Sequence, residues 1–474
     1  MKNHKHLTRL AFATILATST AYDILTPQND TFASTFSFPP PQILSAGIND
    51  SLAHNIAVAL NFERSNWATP TSVASDPFYT HLPANASSTL PPGSLLKLEP
   101  GTNTSLYTIP PSTALSRILY QTTTLNGTAI PASAYILFPY SPLPNNPVVG
   151  FAHGTSGGFP DCAPSHLRNL WYHYITPFTL ALRGYTVVAP DYAGLGVSRD
   201  YNNDTIRHPY TANPAHADDL FYAVQAAQEA FPSLSREFVL VGHSQGGGAV
   251  WSAAQRQATR PVQGYLGGVV ASPVADTYAL AKGAGQAGAG TAMLIANALR
   301  DVFPGFEAGT FLSAEGVRRY ELVEGIGGCQ SVDLEAFADD GLVVDGWWDS
   351  WPARKFFDWT RNGGQALGGP MLVLQGTADA TVPAELTDRA VNETCAAYPD
   401  SALEYVKYPG VDHVPTMYAS QPRWLDWIGE RFAGTPVTKG CGEAVKVESA
   451  RPVEEYQPVP NFFLEFAMEG YEVA

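Results

Sequence analysis

The 474-residue chain is poor in charge, and above all in positive charge. Only 15% of its residues are charged, and 27 Lys and Arg stand against 43 Asp and Glu, so the formal net charge is −16. Binding to nucleic-acid phosphates depends on a dense face of Lys and Arg. The composition therefore excludes DNA or RNA as the main partner. Because 45% of the residues are hydrophobic, the chain is also too apolar to be disordered.

The chain also lacks a long hydrophobic run. No stretch reaches the roughly 18 uncharged apolar residues that suggest a membrane-spanning helix, so no stable membrane anchor is predicted. Residues 1–21 instead show the pattern of a secretory signal peptide, in which Lys2, Lys5 and Arg9 accompany a short apolar segment at 10–17. We therefore expect a secreted, extracellular protein.

Glycosylation triplets support this expectation. Seven N-x-S/T triplets without proline occur, where this composition would give about two or three by chance. Such triplets are glycosylated on the secretory route. The seven asparagines are Asn29, Asn49, Asn85, Asn103, Asn126, Asn203 and Asn392.

Cysteine is scarce, and its spacing argues against metal and redox motifs. The four cysteines form no C-x-x-C pair, and the eleven histidines form no H-x-x-x-H pair. Neither a metal site nor another cofactor is expected. Four widely spaced cysteines in an exported chain predict two disulfide bonds, with three possible pairings. They are Cys162, Cys329, Cys395 and Cys441.

Short apolar runs alternate with helical patterns through the middle of the chain. This alternation predicts an α/β fold in which a mostly parallel sheet is flanked by helices. The predicted strands are 133–138, 147–153, 185–191, 237–242, 266–272, 371–376 and 403–408.

The chain is longer than one core, since single cores stop growing at about 250–300 residues. We assign residues 22–110 to a Pro-, Ser- and Thr-rich extension that wraps the body, and 111–274 and 368–442 to the core. Residues 275–367 lack a strand pattern and predict an inserted helical cap or lid; residues 443–474 form an acidic tail. The alternative is that 275–367 is a second domain unrelated to the site.

The sharpest chemical signal is Gly-His-Ser-Gln-Gly at 242–246. It follows a predicted strand and precedes a helical pattern, as in a nucleophile elbow. Ser244 is therefore the candidate nucleophile. The backbone N–H of Gln245 is the first candidate donor of an oxyanion hole.

A second G-x-S-x-G lies at 154–158. No helical pattern follows it, so Ser156 is a poor nucleophile candidate. Its place after a strand suits the other oxyanion donor instead. The backbone N–H of Thr155 is our first candidate for that role and Gly157 the second.

The candidate base and the carboxylate that would orient it both lie in the C-terminal part of the chain. His413 is the only histidine after Ser244, and it follows the last predicted strand. Asp379 follows the strand before it, which completes the chain order Ser, Asp, His of α/β-hydrolases. Asp412 adjoins His413 and is interpreted as a turn residue.

Gly-Ala-Gly-Gln-Ala-Gly at 283–288 has the letters of a dinucleotide-binding loop but not its context. Such a loop follows the first strand of a βαβ unit, whereas this one lies inside the predicted cap. A lid hinge or close helix packing is the better interpretation.

Several motifs together resemble the fungal secretory lipase family, typified by yeast lipase A enzymes. The resemblance runs from about Leu95 to about Gly442. The segments that carry it are FAHGTSG, DCAPS at 161–165, VVAPDYAGLG at 187–196, GHSQGG, GTAD and the late DH.

This resemblance implies an α/β-hydrolase fold with a helical cap and the triad Ser244, Asp379 and His413. It also implies the disulfide pairs Cys162–Cys329 and Cys395–Cys441. We therefore predict a secreted serine hydrolase, a lipase or carboxylesterase, that cleaves a small ester or lipid through an acyl-enzyme. The same triad would serve a peptidase, an acyltransferase or a tailoring esterase of a secondary metabolite.

Overall fold

A single sheet runs through the molecule. The computed structural model describes residues 36–69 and 71–457; the expected signal peptide and Asn29 lie outside these ranges. In the described part, ten strands join in the order β1-β2-β3-β5-β4-β6-β7-β8-β9-β10. The strands are β1 (Leu95–Glu99), β2 (Thr113–Thr123), β3 (Ala129–Pro139), β4 (Val148–Ala152), β5 (Thr186–Pro190), β6 (Phe238–His243), β7 (Tyr265–Ala271), β8 (Met371–Gly376), β9 (Leu403–Tyr408) and β10 (Val445–Lys446).

Helices cover both faces of this sheet. Cores form between the sheet and α5 and α6 on one face, and between the sheet and α4 and α14 on the other. The helices are α1 (Pro40–Ala46), α2 (Asp50–Ser65), α3 (Pro77–Thr80), α4 (Pro177–Leu182), α5 (Asn213–Ala230), α6 (Gln245–Thr259), α7 (Thr277–Ala284), α8 (Ala289–Val302), α9 (Ala314–Ile326), α10 (Gln330–Ala336), α11 (Trp351–Thr360), α12 (Ala384–Ala397), α13 (Pro415–Ala419) and α14 (Gln421–Phe432).

The mostly parallel sheet confirms the predicted fold class. β4 to β10 pair in parallel, whereas β1, β2 and β3 are antiparallel to their neighbours. All seven predicted strands are present. β4, β5, β6 and β8 are buried along their whole length, because near-continuous apolar runs suit strands covered on both faces.

The antiparallel edge was not predicted. The sheet begins at Leu95, inside the expected extension 22–110, and β2 begins near the expected core boundary at 111. β2 escaped detection because polar side chains are buried along it and find partners elsewhere. Arg117 pairs with Asp76 at 3.0 Å and with Glu99 at 2.9 Å. At the other end, β10 extends the sheet into the expected tail 443–474.

Helices α7 to α11 fill the stretch between β7 and β8 and form the cap layer. They do not pack alone. Ile56 and Leu60 of α2 share a hydrophobic core with Met293 and Ile295 of α8, and buried Glu63 accepts hydrogen bonds from the backbone of the α10 start, at Cys329 N, 2.8 Å. The N-terminal helices therefore share a hydrophobic core with the helices between β7 and β8.

The segments that carry the family resemblance anchor loops. Asp191 accepts hydrogen bonds from the backbone N of Ser165 at 2.8 Å and from the hydroxyls of Ser165 and Ser133, both at 2.6 Å. Asp161 accepts from the backbone N of Val73 at 2.7 Å. DCAPS is thereby tied to DYAGLG on one side and to the N-terminal segment on the other.

Two disulfide bonds link distant parts of the chain. Cys162 is bonded to Cys329 and Cys395 to Cys441, the pairing that the family resemblance implied. The first joins the loop after β4 to the cap. The second joins α12 to the segment that leads into β10.

Buried histidines make the stability of the fold depend on pH. Burial lowers the pKa of His153 and His173 to about 4, that of His166, His208 and His243 to about 3, and that of His216 well below 6.5. The native state keeps these groups neutral, whereas the unfolded chain binds protons at them below about pH 6.5. The unfolded state thus binds more protons, and the free energy of unfolding falls as pH drops.

Burial also raises the pKa of Glu63 and Asp219 to about 7, which opposes this trend above about pH 4.5. We therefore expect a free energy of unfolding that decreases below pH 6.5 and decreases more steeply below about pH 4.5, by about 1.4 kcal/mol per pH unit for each unbalanced proton. Urea unfolding between pH 7.5 and 4 measures it. His216→Phe should flatten the slope by about one proton, and pH-independent unfolding would contradict the account.

Candidate active site

The turn between β6 and α6 holds Ser244 in a strained conformation. Its φ of 59° and ψ of −122° lie outside the regions that a non-glycine residue prefers. The backbone N of Ser244 donates to the carbonyl of Ala271 on β7 at 3.0 Å, which fastens the turn to the neighbouring strand. Such strain persists where the surroundings hold the residue, often at active sites.

Two glycines make this turn possible. A Cβ on Gly242 would stand 2.1 Å from the carbonyl oxygen of Gly246, and a Cβ on Gly246 would stand 1.9 Å from the carbonyl oxygen of Ala152. No side chain fits either place. The close approach brings the start of α6 against the end of β4, as expected of a nucleophile elbow.

His413 and Asp379 form a hydrogen-bonded pair at the same sheet edge. The Nδ1 atom of His413 lies 2.8 Å from Oδ2 of Asp379. The other carboxylate oxygen accepts from the backbone N of Val382 at 2.7 Å and of Thr381 at 3.0 Å, and Gln375 Nε2 donates to Oδ2 at 3.1 Å. The carboxylate is thus held in one orientation.

This environment keeps Asp379 ionised. Burial raises its pKa, but His413 and the hydrogen bond from Val382 outweigh burial, so the pKa lies below 3.8. A carboxylate only accepts hydrogen bonds, so Nδ1 of His413 carries the proton and Nε2 is unprotonated in the neutral ring. Asp412 accepts from the backbone N of His413 at 2.7 Å and of Ala380 at 3.0 Å, which is the turn role expected of it.

The candidate oxyanion donors lie beside Ser244, the candidate nucleophile. Gln245 begins α6, so its N–H has no helical partner. A Cβ on Gly154 would stand 3.3 Å from Cβ of Ser244, so the segment that leads into Thr155 lies next to Ser244. Gly157, the second candidate, faces the disulfide instead: its Cβ would stand 2.5 Å from Sγ of Cys162.

The loop 154–158 is also held from the cap side. The backbone N of Gln330 donates to the carbonyl of Ser156 at 3.1 Å, and Asn297 Nδ2 donates to the carbonyl of Gly158 at 3.1 Å. Cys162–Cys329 closes the same junction. The cap therefore helps to shape one wall of the site.

Sequence reasoning missed the side chains that support the site. Gln375 orients Asp379, and Tyr210 lies 2.9 Å from the hydroxyl of Thr155. Tyr172 lies 2.6 Å from Nδ1 of His243. Only Gln375 had a visible signal, a polar residue that ends an apolar strand next to GTAD. The two tyrosines come from loops that only the folded chain brings near.

The site is nearly closed. Ser244 is 8% exposed, and the side chain of His413 is 12% exposed. Two surface cavities of about 310 and 320 Å³ are lined by other residues, such as Phe138 and Tyr222, and are not part of the site.

The described residues contain no group of three or more His, Cys, Asp or Glu that could hold a metal ion. No helix in that part of the chain is both long and apolar enough to cross a bilayer. The 283–288 glycine motif joins α7 to α8 through a turn, with Gly285 at φ 56°. Nothing lies within 4 Å of a Cβ added to Gly283 or Gly285, whereas a Cβ on Gly288 would stand 3.0 Å from Cβ of Ala284 at the end of α7.

Comparisons with known proteins identify the family and the fold. A family model described as the alpha/beta hydrolase family matches residues 151–425. That match covers more than half of the chain, which therefore belongs to the alpha/beta hydrolase family. No curated protein sequence matches the chain.

Solved structures extend the comparison. Lipase A of Candida antarctica in its closed state is similar with a TM-score of 0.65 and 19% identity, over 80% of this chain and 90% of that one. The rice cell wall degrading esterase LipA from Xanthomonas oryzae gives 0.58 and 17%, over 72% and 100%. A putative hydrolase from Legionella pneumophila gives 0.54 and 16%, over 72% and 99%. At these identities the likeness establishes the fold.

The elbow glycines provide a direct test of the site geometry. Gly246→Ala forces a methyl group into the backbone of β4, so we expect loss of the native turn, with destabilisation of several kcal/mol and no activity. Gly283→Ala is the matched control, since its methyl group meets nothing and the helix gains up to about 1 kcal/mol. Thermal unfolding of both variants measures this. A Gly246→Ala variant as stable as the wild type would contradict the assigned geometry.

Proposed function

We propose that the chain is a secreted serine hydrolase that cleaves carboxylic esters, with Ser244 as nucleophile, His413 as general base and Asp379 as the orienting carboxylate. The observation that carries the proposal is the 2.8 Å bond between His413 and buried Asp379, at the sheet edge where Ser244 stands on an elbow. The three residues follow the carboxyl ends of β6, β8 and β9, which lie in one parallel part of the sheet, and this supports the proposal.

In acylation, the Ser244 hydroxyl oxygen attacks the ester carbonyl carbon while Nε2 of His413 takes the hydroxyl proton. The carbonyl oxygen becomes an oxyanion, and the backbone N–H groups of Gln245 and Thr155 donate hydrogen bonds to it. When the tetrahedral intermediate collapses, the bond to the leaving alcohol breaks and His413 returns its proton to the alcohol oxygen. The acyl group remains on Ser244.

In deacylation, His413 removes a proton from water, and the resulting hydroxide attacks the acyl carbon. On collapse the bond between the acyl carbon and Ser244 Oγ breaks, His413 returns its proton to that oxygen, and the carboxylic acid is released. Asp379 stays ionised throughout, which holds the imidazole in one tautomer and stabilises its positive charge. Loss of one oxyanion donor costs about 10²–10³ in kcat.

Ester hydrolysis is favoured over the other uses of a triad by the structural neighbours, whose names describe a lipase and an esterase. A small ester or a lipid is therefore the proposed substrate. A peptidase, an acyltransferase or a tailoring esterase would share the triad, and substrate specificity would separate them.

The proposed secretion agrees with two features of the folded chain. Both cysteine pairs are joined as disulfides, which persist in oxidising compartments. Six of the predicted glycosylation sites lie in the described part of the chain, and every one of these asparagines is exposed. They are Asn49, Asn85, Asn103, Asn126, Asn203 and Asn392.

A panel of p-nitrophenyl esters of increasing acyl length, with an aminoacyl anilide beside it, tests the activity. Ser244→Ala should lower kcat by about 10⁶-fold, and Asp379→Asn by about 10⁴-fold because the imidazole tautomer is then wrong. Ser156→Ala and Asp412→Asn are matched controls and should retain most activity. Turnover that survives Ser244→Ala would contradict the proposed mechanism. Turnover of the anilide alone would show a peptidase instead of an esterase.

Expression in a eukaryotic host that secretes protein tests the export. We expect product in the medium that begins near residue 22 and loses mass on enzymatic removal of N-glycans. Intact-mass measurement and N-terminal sequencing give both readings. A product that stays in the cell and begins at Met1 would contradict secretion.

A further inference from the structure

A buried imidazole outside the proposed triad links the nucleophile turn to the main chain of the proposed base. His243 ends β6 directly before Ser244 and is wholly buried. Its Nε2 lies 3.1 Å from the backbone carbonyl oxygen of His413, and its Nδ1 lies 2.6 Å from the hydroxyl of Tyr172. One side chain thus joins three segments of the site.

The partners determine where the proton sits. A carbonyl oxygen only accepts hydrogen bonds, so Nε2 of His243 carries the proton and donates to His413. Nδ1 then accepts the hydrogen bond from Tyr172. Burial lowers the pKa of His243 to about 3, so the ring stays neutral at neutral pH and keeps this tautomer.

Tyr172 also contacts the loop that carries the proposed second oxyanion donor. A Cβ on Gly154 would stand 2.1 Å from the Tyr172 hydroxyl. The hydroxyl therefore lies between the loop after β4 and the imidazole of His243.

The backbone around Tyr172 is strained. Leu170, Trp171 and His173 have φ values of 52°, 68° and 29°, in a region that non-glycine residues seldom enter. Tyr172 lies between them and is buried, with its ring centroid 5.5 Å from that of Phe151. Strain of this kind clusters at functional sites, and here it presents one hydroxyl to His243.

His413 is otherwise held by its side chain and its amide. Asp379 holds Nδ1 at 2.8 Å and Asp412 holds the backbone N at 2.7 Å. The carbonyl accepts from His243 and, at 3.3 Å, from the backbone N of Thr416. The rings of His243 and His413 also pack with centroids 4.5 Å apart. His243 is therefore the contact that ties the base directly to the elbow.

We propose that His243 and Tyr172 are positioning residues that set the distance between Ser244 and His413, a proposal that rests on the function proposed above. Proton transfer needs a hydrogen-bond distance of about 2.6–3.2 Å between nucleophile and base. His243 directly precedes Ser244 in the turn, and its ring is held between the Tyr172 hydroxyl and the carbonyl oxygen of His413. The position of this ring therefore sets how far the His413 backbone lies from the turn. Misplacement by about 1 Å costs about 100-fold in rate.

Steady-state kinetics on a p-nitrophenyl ester, below the lowest unfolding midpoint of the set, tests the proposal. His243→Leu removes the N–H and should lower kcat by about 10–100-fold, with KM within about twofold. His243→Gln keeps an amide N–H that reaches the His413 carbonyl and should recover most of the loss. His166→Leu is the control: it replaces another buried histidine, packed on Trp67, whose ring nitrogens have no hydrogen-bond partner among the described residues, and it should leave kcat unchanged.

Tyr172→Phe supplies a second variant if His243→Leu does not fold. It keeps the ring, removes the hydroxyl, and should lower kcat by about 3–10-fold. The proposal is overturned if His243→Leu and Tyr172→Phe keep kcat within twofold of the wild type. It is also overturned if His243→Gln and His166→Leu lose as much kcat as His243→Leu, in proportion to their lost stability.

Labelling of the wild type with a fluorophosphonate separates this proposal from the function beneath it. If the wild type is labelled and cleaves the ester, and His243→Leu keeps the kcat of the wild type, the positioning role alone is contradicted. A wild type that is neither labelled nor active removes the proposed function and the positioning role together. A labelling rate that falls in His243→Leu and recovers in His243→Gln supports both.

Discussion

The close approach of two backbones at Gly246 is the constraint on which the site depends. Only glycine fits there, since a Cβ would stand 1.9 Å from the carbonyl oxygen of Ala152. This close approach requires a tight turn in which Ser244 has a φ of 59°. The turn directs the start of α6 towards the loop after β4. The proposed orienting carboxylate, Asp379, and the proposed base, His413, follow β8 and β9 at the same edge, because parallel strands end there together.

The cap contributes to this edge as well as covering it. A disulfide, the amide of Asn297 and the backbone N of Gln330 all fasten the loop 154–158 from the cap side. The cap in turn shares its core with α1 and α2. The proposed oxyanion wall therefore depends on three parts of the chain that are far apart in sequence.

Sequence patterns predicted the parts of the fold that local rules determine. Apolar runs located seven strands, and the glycines around Ser244 marked the elbow because their spacing reflects a steric need. β2 was missed since its polar residues are satisfied by distant partners such as Asp76 and Glu99. Tyr172 and Tyr210 were missed because they lie in loops, which have no periodic pattern that would predict their position near the site. The triad itself stays a prediction that the geometry supports.

The most direct test of the central claim is the mass spectrum of protein quenched with acid during turnover of a p-nitrophenyl ester. The account predicts one added acyl group on the peptide that contains Ser244, and none in Ser244→Ala. An acyl group on the peptide that contains Ser156 would contradict the account. Rapid ester turnover with no acyl adduct on the protein, even with a substrate whose acyl group is released slowly, would also contradict it.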